Sequence, residues 1–381
     1  MGIRRRDALA LLAGAALPWP LRARAGQAAL DEAVGFTGQV LYLALKVPAL
    51  VIGVVRNGET SIEGFGRRAD NGDAPPDGDT LFRIGSITKA FTGQLLASLA
   101  ADGVVSLADP LTKYVPEFIA PLSEGGRPIR LIDLATHSAG LPREVPHEPG
   151  PADNPFLNIT PNAFAAWLKA NPLLYTPGTS ILYSNFGFDL LAAALSAAAQ
   201  KPYPDLLAER VLKPLGLADT TFAPSPEQTQ RLMRGHGFDG AALPDVPTGS
   251  VIVGSGGLRS TPRDLLSWLK WHLDRFANGR AAERLIDHAA YLWRDGLVSV
   301  VGMDESGPMT AMGLGWVIMA PEGDRPLIMQ KAGGLQGIFC YVAFAPSRNT
   351  GVMVAINAFD FNAALAMGKA ANDLLAELAP R

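Results

Sequence analysis

Apolar and polar positions along the chain change period twice, dividing it into a strand block, a long helical middle and a second strand block. Residues 49–55 are an unbroken apolar run, Asn57-Gly58 supplies a two-residue hairpin turn, and 60–65 reads as the returning strand. Residues 67–79 are polar and rich in Gly and Pro, which predicts a surface loop. Helical patterns follow over 86–101, 131–136, 161–170, 186–199, 205–213, 264–275 and 283–293. Strand patterns return at 314–319, 327–330, 337–344 and 352–357, and 362–378 closes the chain as an amphipathic helix. Sequential hairpins favour antiparallel pairing, so the two strand blocks are expected to join in one antiparallel sheet flanked by helices. This predicts an α+β fold, with a sheet part from 26–85 and 255–381 and an inserted, mainly helical part from 86–254. The cleft is expected between the two parts, bordered by the Pro-rich polar loop 143–158.

The helix starting at Ser86 carries the first candidate chemistry. The apolar run before it ends at Gly85, so Ser86 falls in the first helical turn, where unpaired N–H groups favour a developing negative charge. Lys89 lies three residues on, on the same helical face, and its amine can reach the Ser86 hydroxyl. A hydroxyl beside an amine is the Ser-Lys form of an activated nucleophile. A second S-x-x-K occurs at Ser267 and Lys270, but it falls mid-helix, beyond a cap at Thr261-Pro262, and is read as background.

Composition adds limits. The net charge of −3 comes without runs of like charge beyond the amino-terminal arginines, so nothing points to nucleic acid as a partner. Arg4-Arg5-Arg6, the apolar stretch 8–17 and Ala23-Arg24-Ala25 read as an export signal over 1–25, with paired arginines suggesting the twin-arginine route beside the Sec route. The apolar stretch 34–55 is interrupted by Gln39, Lys46 and Pro48, so no transmembrane segment is expected in the mature chain, which is placed in the periplasm. Cys340, the single cysteine, is expected buried in a strand. His147, His236, His272 and His288 lack metal-ligand spacing, so neither a metal nor another cofactor is expected, and His137 reads as a structural hydrogen-bonder.

Two further motifs occur once each: Tyr183-Ser184-Asn185, and Lys331-Ala332-Gly333 followed by Gly334. The order S-x-x-K, polar triplet, K-x-G resembles the serine β-lactamase/penicillin-binding superfamily, in its class C-like branch with Tyr-x-Asn as second motif. More narrowly the chain resembles the AmpH-type D-alanyl-D-alanine carboxypeptidase/endopeptidases. The resemblance includes Leu134-Ala-Thr-His-Ser-Ala-Gly-Leu-Pro-Arg-Glu144, the stretches 213–225 and 254–262, Leu314-Gly-Trp316 and Gln330-Lys-Ala-Gly-Gly334. It implies a β-lactamase/DD-peptidase-like fold with Ser86 as acylated nucleophile, Lys89 as its base and Tyr183 as proton shuttle. It also implies Asn185, Lys331 and Gly333 as substrate-binding residues, and the backbone N–H groups of Ser86 and Gly334 as oxyanion hole. The implied activity is that of a penicillin-binding serine DD-peptidase on peptidoglycan stem peptides or cross-links, with β-lactams as covalent inhibitors.

One position departs from the family pattern. Ala332 stands where the third motif carries Thr, whose hydroxyl helps bind the terminal carboxylate of a stem peptide. A family VIII-like serine esterase or weak β-lactamase on the same scaffold is therefore a second reading. A non-catalytic muropeptide or penicillin sensor is a third.

Overall fold

The computed structural model describes residues 19–381 apart from 70, 71, 73, 122–125, 250, 275 and 278, with side chains from residue 26 onward. The expected leader therefore lies mostly outside the described residues, and a helix Trp19–Leu45 runs through its expected end.

The hairpin pairs β1 (Ala49–Arg56) with β2 (Glu59–Gly66), and Asn57 and Gly58 both take the positive φ that a two-residue turn needs. Three short strands follow: β3 (Phe82–Arg83), β4 (Ile181–Leu182) and β5 (Arg259–Ser260). The second block gives β6 (Leu292–Trp293), β7 (Val300–Val301), β8 (Ala311–Met312), β9 (Val317–Met319), β10 (Ile328–Leu335), β11 (Ile338–Ala345) and β12 (Thr350–Ile356). The main sheet is antiparallel, in the order β2-β1-β12-β11-β10-β9-β8-β6, so the first hairpin joins the second block through β1 and β12. β3 pairs with β5, joining the two segments that flank the helical middle, and β4 pairs with β7, tying the helical middle to the second strand block.

The continuous apolar run of β1 has a direct cause, since both its faces are covered. Val51 and Val55 pack into the core shared with Phe91 and Trp268, while Leu50, Ile52 and Val54 pack with Leu30, Val34, Met367 and Leu374. The helices Trp19–Leu45 and Phe361–Leu378 thus form one outer layer. On the other face lie the helices Thr88–Ala101 and Pro262–Leu273, with Pro161–Ala170 and Asn185–Ala199 beyond. Thr88–Ala101 is buried all round except at its end, as expected of a helix lying between the sheet and the helical part.

Two expectations need correction. The helix expected over 283–293 is Ala281–Asp287; Leu292 and Trp293 instead form an edge strand against Met312 and Ala311. That pairing outweighs a helix-compatible run, because the backbone of Tyr291 already donates to Met312. The Lys331-Ala332-Gly333 triplet, expected between strands, lies inside β10, which continues to Leu335 before a turn at Gln336-Gly337. Glycines normally weaken a strand, but these face Cys340 and Phe339 across a full ladder. Among the described residues, no helix is long and apolar enough to cross a membrane.

Candidate active site

Ser86 sits in a tight turn, Gly85–Ile87, that leads into the helix Thr88–Ala101. Gly85 has φ +46°, and a side chain there would put a Cβ 2.7 Å from the backbone nitrogen of Gly334. A Cβ on Gly333 would lie 2.0 Å from the Ile84 carbonyl and 3.0 Å from the Ser86 nitrogen. Only paired glycines allow this approach, which brings the Ser86 and Gly334 backbones to one side of the same cleft.

Lys89 is one helical turn beyond Ser86. Its Nζ lies 3.1 Å from Ser86 Oγ, 2.5 Å from Asn185 Oδ1 and 2.7 Å from the Ser255 carbonyl. The lysine is fully buried, and burial lowers its pKa to about 7. The nearby carboxylates of Asp189 and Glu144 oppose that shift, and Arg143 adds to it. Asp189 is itself buried, accepts from the backbone and hydroxyl of Ser255, and is pushed well above the carboxylate range by desolvation.

The Tyr183-Ser184-Asn185 triplet owes its geometry to its middle residue. Ser184 caps the helix Asn185–Ala199, its Oγ accepting from Gly187 and donating to the Pro142 carbonyl. That cap leaves Tyr183 before the helix and Asn185 as its first residue, both facing Lys89. Tyr183 Oη donates to Ser86 Oγ over 2.6 Å. Its ring lies among three cations, with Lys89 Nζ at 4.9 Å, Lys331 Nζ at 4.8 Å and the Arg143 guanidinium at 4.8 Å. Lys331 is buried in β10, and burial lowers its pKa.

Sequence reasoning assigned no role to Glu144 or Arg143, and read His137 as a structural hydrogen-bonder. Glu144 accepts a short hydrogen bond from the Asn185 amide nitrogen, and Arg143 covers the Tyr183 ring. His137, buried with φ +57°, accepts at Nδ1 from the Ser184 backbone N–H over 3.0 Å and stacks on Tyr183 at 4.6 Å. Burial and the nearby lysines hold His137 well below its usual pKa, so it stays neutral and keeps its structural role. Glu144 and His137 both fall in the stretch 134–144 that carried the resemblance, but no spacing rule marks either residue.

Ser267 is on the exposed face of Pro262–Leu273, where its hydroxyl donates to the Arg263 carbonyl one turn back in the same helix. Cys340 is buried in β11 with its thiol pushed up by desolvation. Ser86 and Gly334 stand between two cavities. One, of about 330 Å³, runs past Lys331 and Ala332 to Phe359; the other, of about 300 Å³, passes Glu144, His147 and Phe156. A further cavity, about 680 Å³, lies behind Asn185–Ala199 and does not reach Ser86.

A family model described as Beta-lactamase matches residues 22–377, and the chain belongs to that family of serine-type hydrolases. Among its relatives, the D-alanyl-D-alanine-carboxypeptidase/endopeptidase AmpH of Escherichia coli K12 is 37% identical over 329 residues, covering 85% of this chain and 83% of that one. A Beta-lactamase of Pseudomonas fluorescens is 27% identical over 348 residues, covering 86% and 93%. A solved structure, a beta-lactamase/D-alanine carboxypeptidase from Yersinia pestis complexed with citrate, superposes with a TM-score of 0.82 at 38% identity. It covers 91% of this chain and 98% of its own. The antiparallel sheet, flanking helices and α+β class expected from the sequence agree with that match.

Proposed function

We propose that the chain is an exported serine DD-peptidase that cleaves peptidoglycan peptides through an acyl-enzyme at Ser86, and that penicillins acylate the same residue. The observation that carries this reading is the convergence on one hydroxyl. Lys89 Nζ at 3.1 Å and Tyr183 Oη at 2.6 Å both reach Ser86 Oγ, beside a glycine-bounded backbone edge. With a pKa of about 7, Lys89 supplies a substantial neutral fraction near pH 7, which a lysine at its ordinary value does not.

In the first step Ser86 Oγ attacks the carbonyl carbon of the scissile D-Ala peptide, and its proton passes to the neutral amine of Lys89. The carbonyl oxygen becomes an oxyanion held by the backbone N–H groups of Ser86 and Gly334. Tyr183 then gives its proton to the departing amine, recovers one from the Lys89 ammonium, and the C–N bond breaks to leave the acyl-enzyme. Water repeats the sequence in reverse and frees Ser86. Asn185 holds the lysine and the substrate amide. The buried charge of Lys331, with Gly333 beside it, attracts the substrate carboxylate from the 330 Å³ cavity.

Ala332 supports a second reading, an esterase or weak β-lactamase. It lines that cavity without the hydroxyl the motif normally offers to a carboxylate. Digestion of isolated sacculi separates the two. The peptidase reading expects release of D-Ala and loss of cross-linked dimers, both abolished by Ser86→Ala. Untouched sacculi together with rapid hydrolysis of a simple ester would assign the esterase reading instead. Export to the periplasm belongs to the same proposal and rests on the amino-terminal pattern together with the substrate.

A further inference from the structure

A second cluster of chemically capable side chains lies on the sheet side of the helical layer, and the mechanism at Ser86 does not use it. His272 is in the last turn of Pro262–Leu273, Asp287 ends the helix Ala281–Asp287, and His288 follows directly. His272 Nδ1 lies 2.8 Å from His288 Nε2 and 3.5 Å from Asp287 Oδ2, and His288 Nε2 lies 3.8 Å from the same oxygen. The side chains of His272 and Asp287 are fully buried, and that of His288 is 5% exposed. Fourteen residues separate His272 from Asp287 in the sequence, so no rule of ligand spacing marks the set.

From this cluster we infer that His272, Asp287 and His288 form a divalent-metal site of the zinc class, with a structural role. A triangle with those three sides has a centre about 2.0 Å from each corner, the distance at which zinc holds imidazole nitrogen and carboxylate oxygen. The carboxylate is prepared for it. Trp316 Nε1 donates to Asp287 Oδ2 at 3.0 Å, an outer contact that orients the ligand, whereas Asp287 Oδ1 is buried without a hydrogen-bond partner among the described residues. Bidentate binding through Oδ1 would supply a fourth ligand atom. Among the described residues, no lysine or arginine forms an ion pair with Asp287; its nearest basic groups are the two imidazoles. A cation would therefore offset the cost of burying this carboxylate, whose side chain is fully enclosed. The rings are held in place by packing: His272 stacks on Phe344 at 5.2 Å, and His288 lies 5.3 Å from the same ring. Metal entry displaces the proton shared between the two ring nitrogens and any proton on Asp287, so loading releases protons.

The position suggests what the ion would stabilise. Trp316 stacks on Trp268 at 5.3 Å, and Trp268 on Phe91 at 4.0 Å, two residues beyond Lys89. A Cβ on Gly315 would lie 2.7 Å from the Lys89 carbonyl. Occupancy would thus brace the layer on which the Lys89 helix rests.

The test is to incubate the full chain with zinc chloride, desalt it and measure bound metal. About one zinc per chain is expected, with a melting temperature several degrees above that of the chelator-treated protein, and both should be lost in His288→Ala and Asp287→Asn. A wild-type chain that retains no zinc overturns the inference, as does equal retention by both variants. If the variants do not fold, cobalt(II) loading of the wild-type chain decides. The visible absorption of a four-coordinate site is expected, and its absence overturns the inference.

Discussion

Asn185 holds Lys89 at one end of its amide and is held by Glu144 at the other: Oδ1 accepts from Lys89 Nζ over 2.5 Å while the amide nitrogen donates to the glutamate. The amide is thereby fixed in one orientation, and with it the lysine that faces Ser86. Removing the charged acceptor forfeits a hydrogen bond worth roughly 1.5–3 kcal/mol. Glu144→Ala is expected to lower kcat/KM about 10- to 100-fold, while Glu144→Gln, which keeps an acceptor, retains most of it. Steady-state kinetics on one peptide substrate checks both; equal, full activity would remove Glu144 from the positioning network.

The pH profile follows from Lys89. Its amine must be neutral to take the Ser86 proton, and its pKa is about 7, so activity should rise with pH through an acidic limb near 7. Glu144 stabilises the ammonium form, so Glu144→Gln should lower the lysine pKa and move that limb to lower pH. A limb that stays in place or moves upward contradicts the assignment of Lys89.

Tyr183 and His137 separate chemistry from support. Tyr183→Phe removes only the hydroxyl that reaches Ser86, and activity should fall by roughly 10²–10⁴ with the melting temperature little changed. His137→Ala leaves the buried Ser184 N–H without its acceptor, which costs about 1–3 kcal/mol. Urea unfolding should register that loss directly.

Much of the fold was readable because burial and hydrophobic period coincide. β1, covered on both faces, is an unbroken apolar run, and Thr261-Pro262 and Thr160-Pro161 mark real helix starts. The helix Trp19–Leu45 was less visible. Its buried positions Leu30, Val34 and Leu41 are sparse, and Gly38, where a Cβ would meet the Phe65 ring at 2.4 Å, takes the place of another apolar residue. Lys331-Ala332-Gly333 looked like a turn because the glycines serve a tertiary approach to Gly85 rather than a local bend. Ser86, Lys89, Tyr183, Asn185 and Lys331 were marked by motif. Glu144 and His137 act through neighbours distant in sequence, which one sequence alone does not pair.

Ala332 offers a gain-of-function experiment. Restoring a hydroxyl with Ala332→Thr should strengthen binding of a free terminal carboxylate, by up to the roughly 1.5–3 kcal/mol of a charge-assisted hydrogen bond. Carboxypeptidase turnover on a pentapeptide should rise relative to ester hydrolysis. An unchanged ratio would mean that the carboxylate is held elsewhere.

Intact-mass spectrometry after brief exposure to a penicillin puts the role of Ser86 to the strictest trial. The wild-type chain should gain the mass of the whole penicillin, because ring opening expels nothing, with the adduct on the peptide that contains Ser86. Ser86→Ala should gain none. An identical adduct on Ser86→Ala, or a wild-type chain that neither gains mass nor consumes the penicillin, would contradict an acyl-enzyme at this residue.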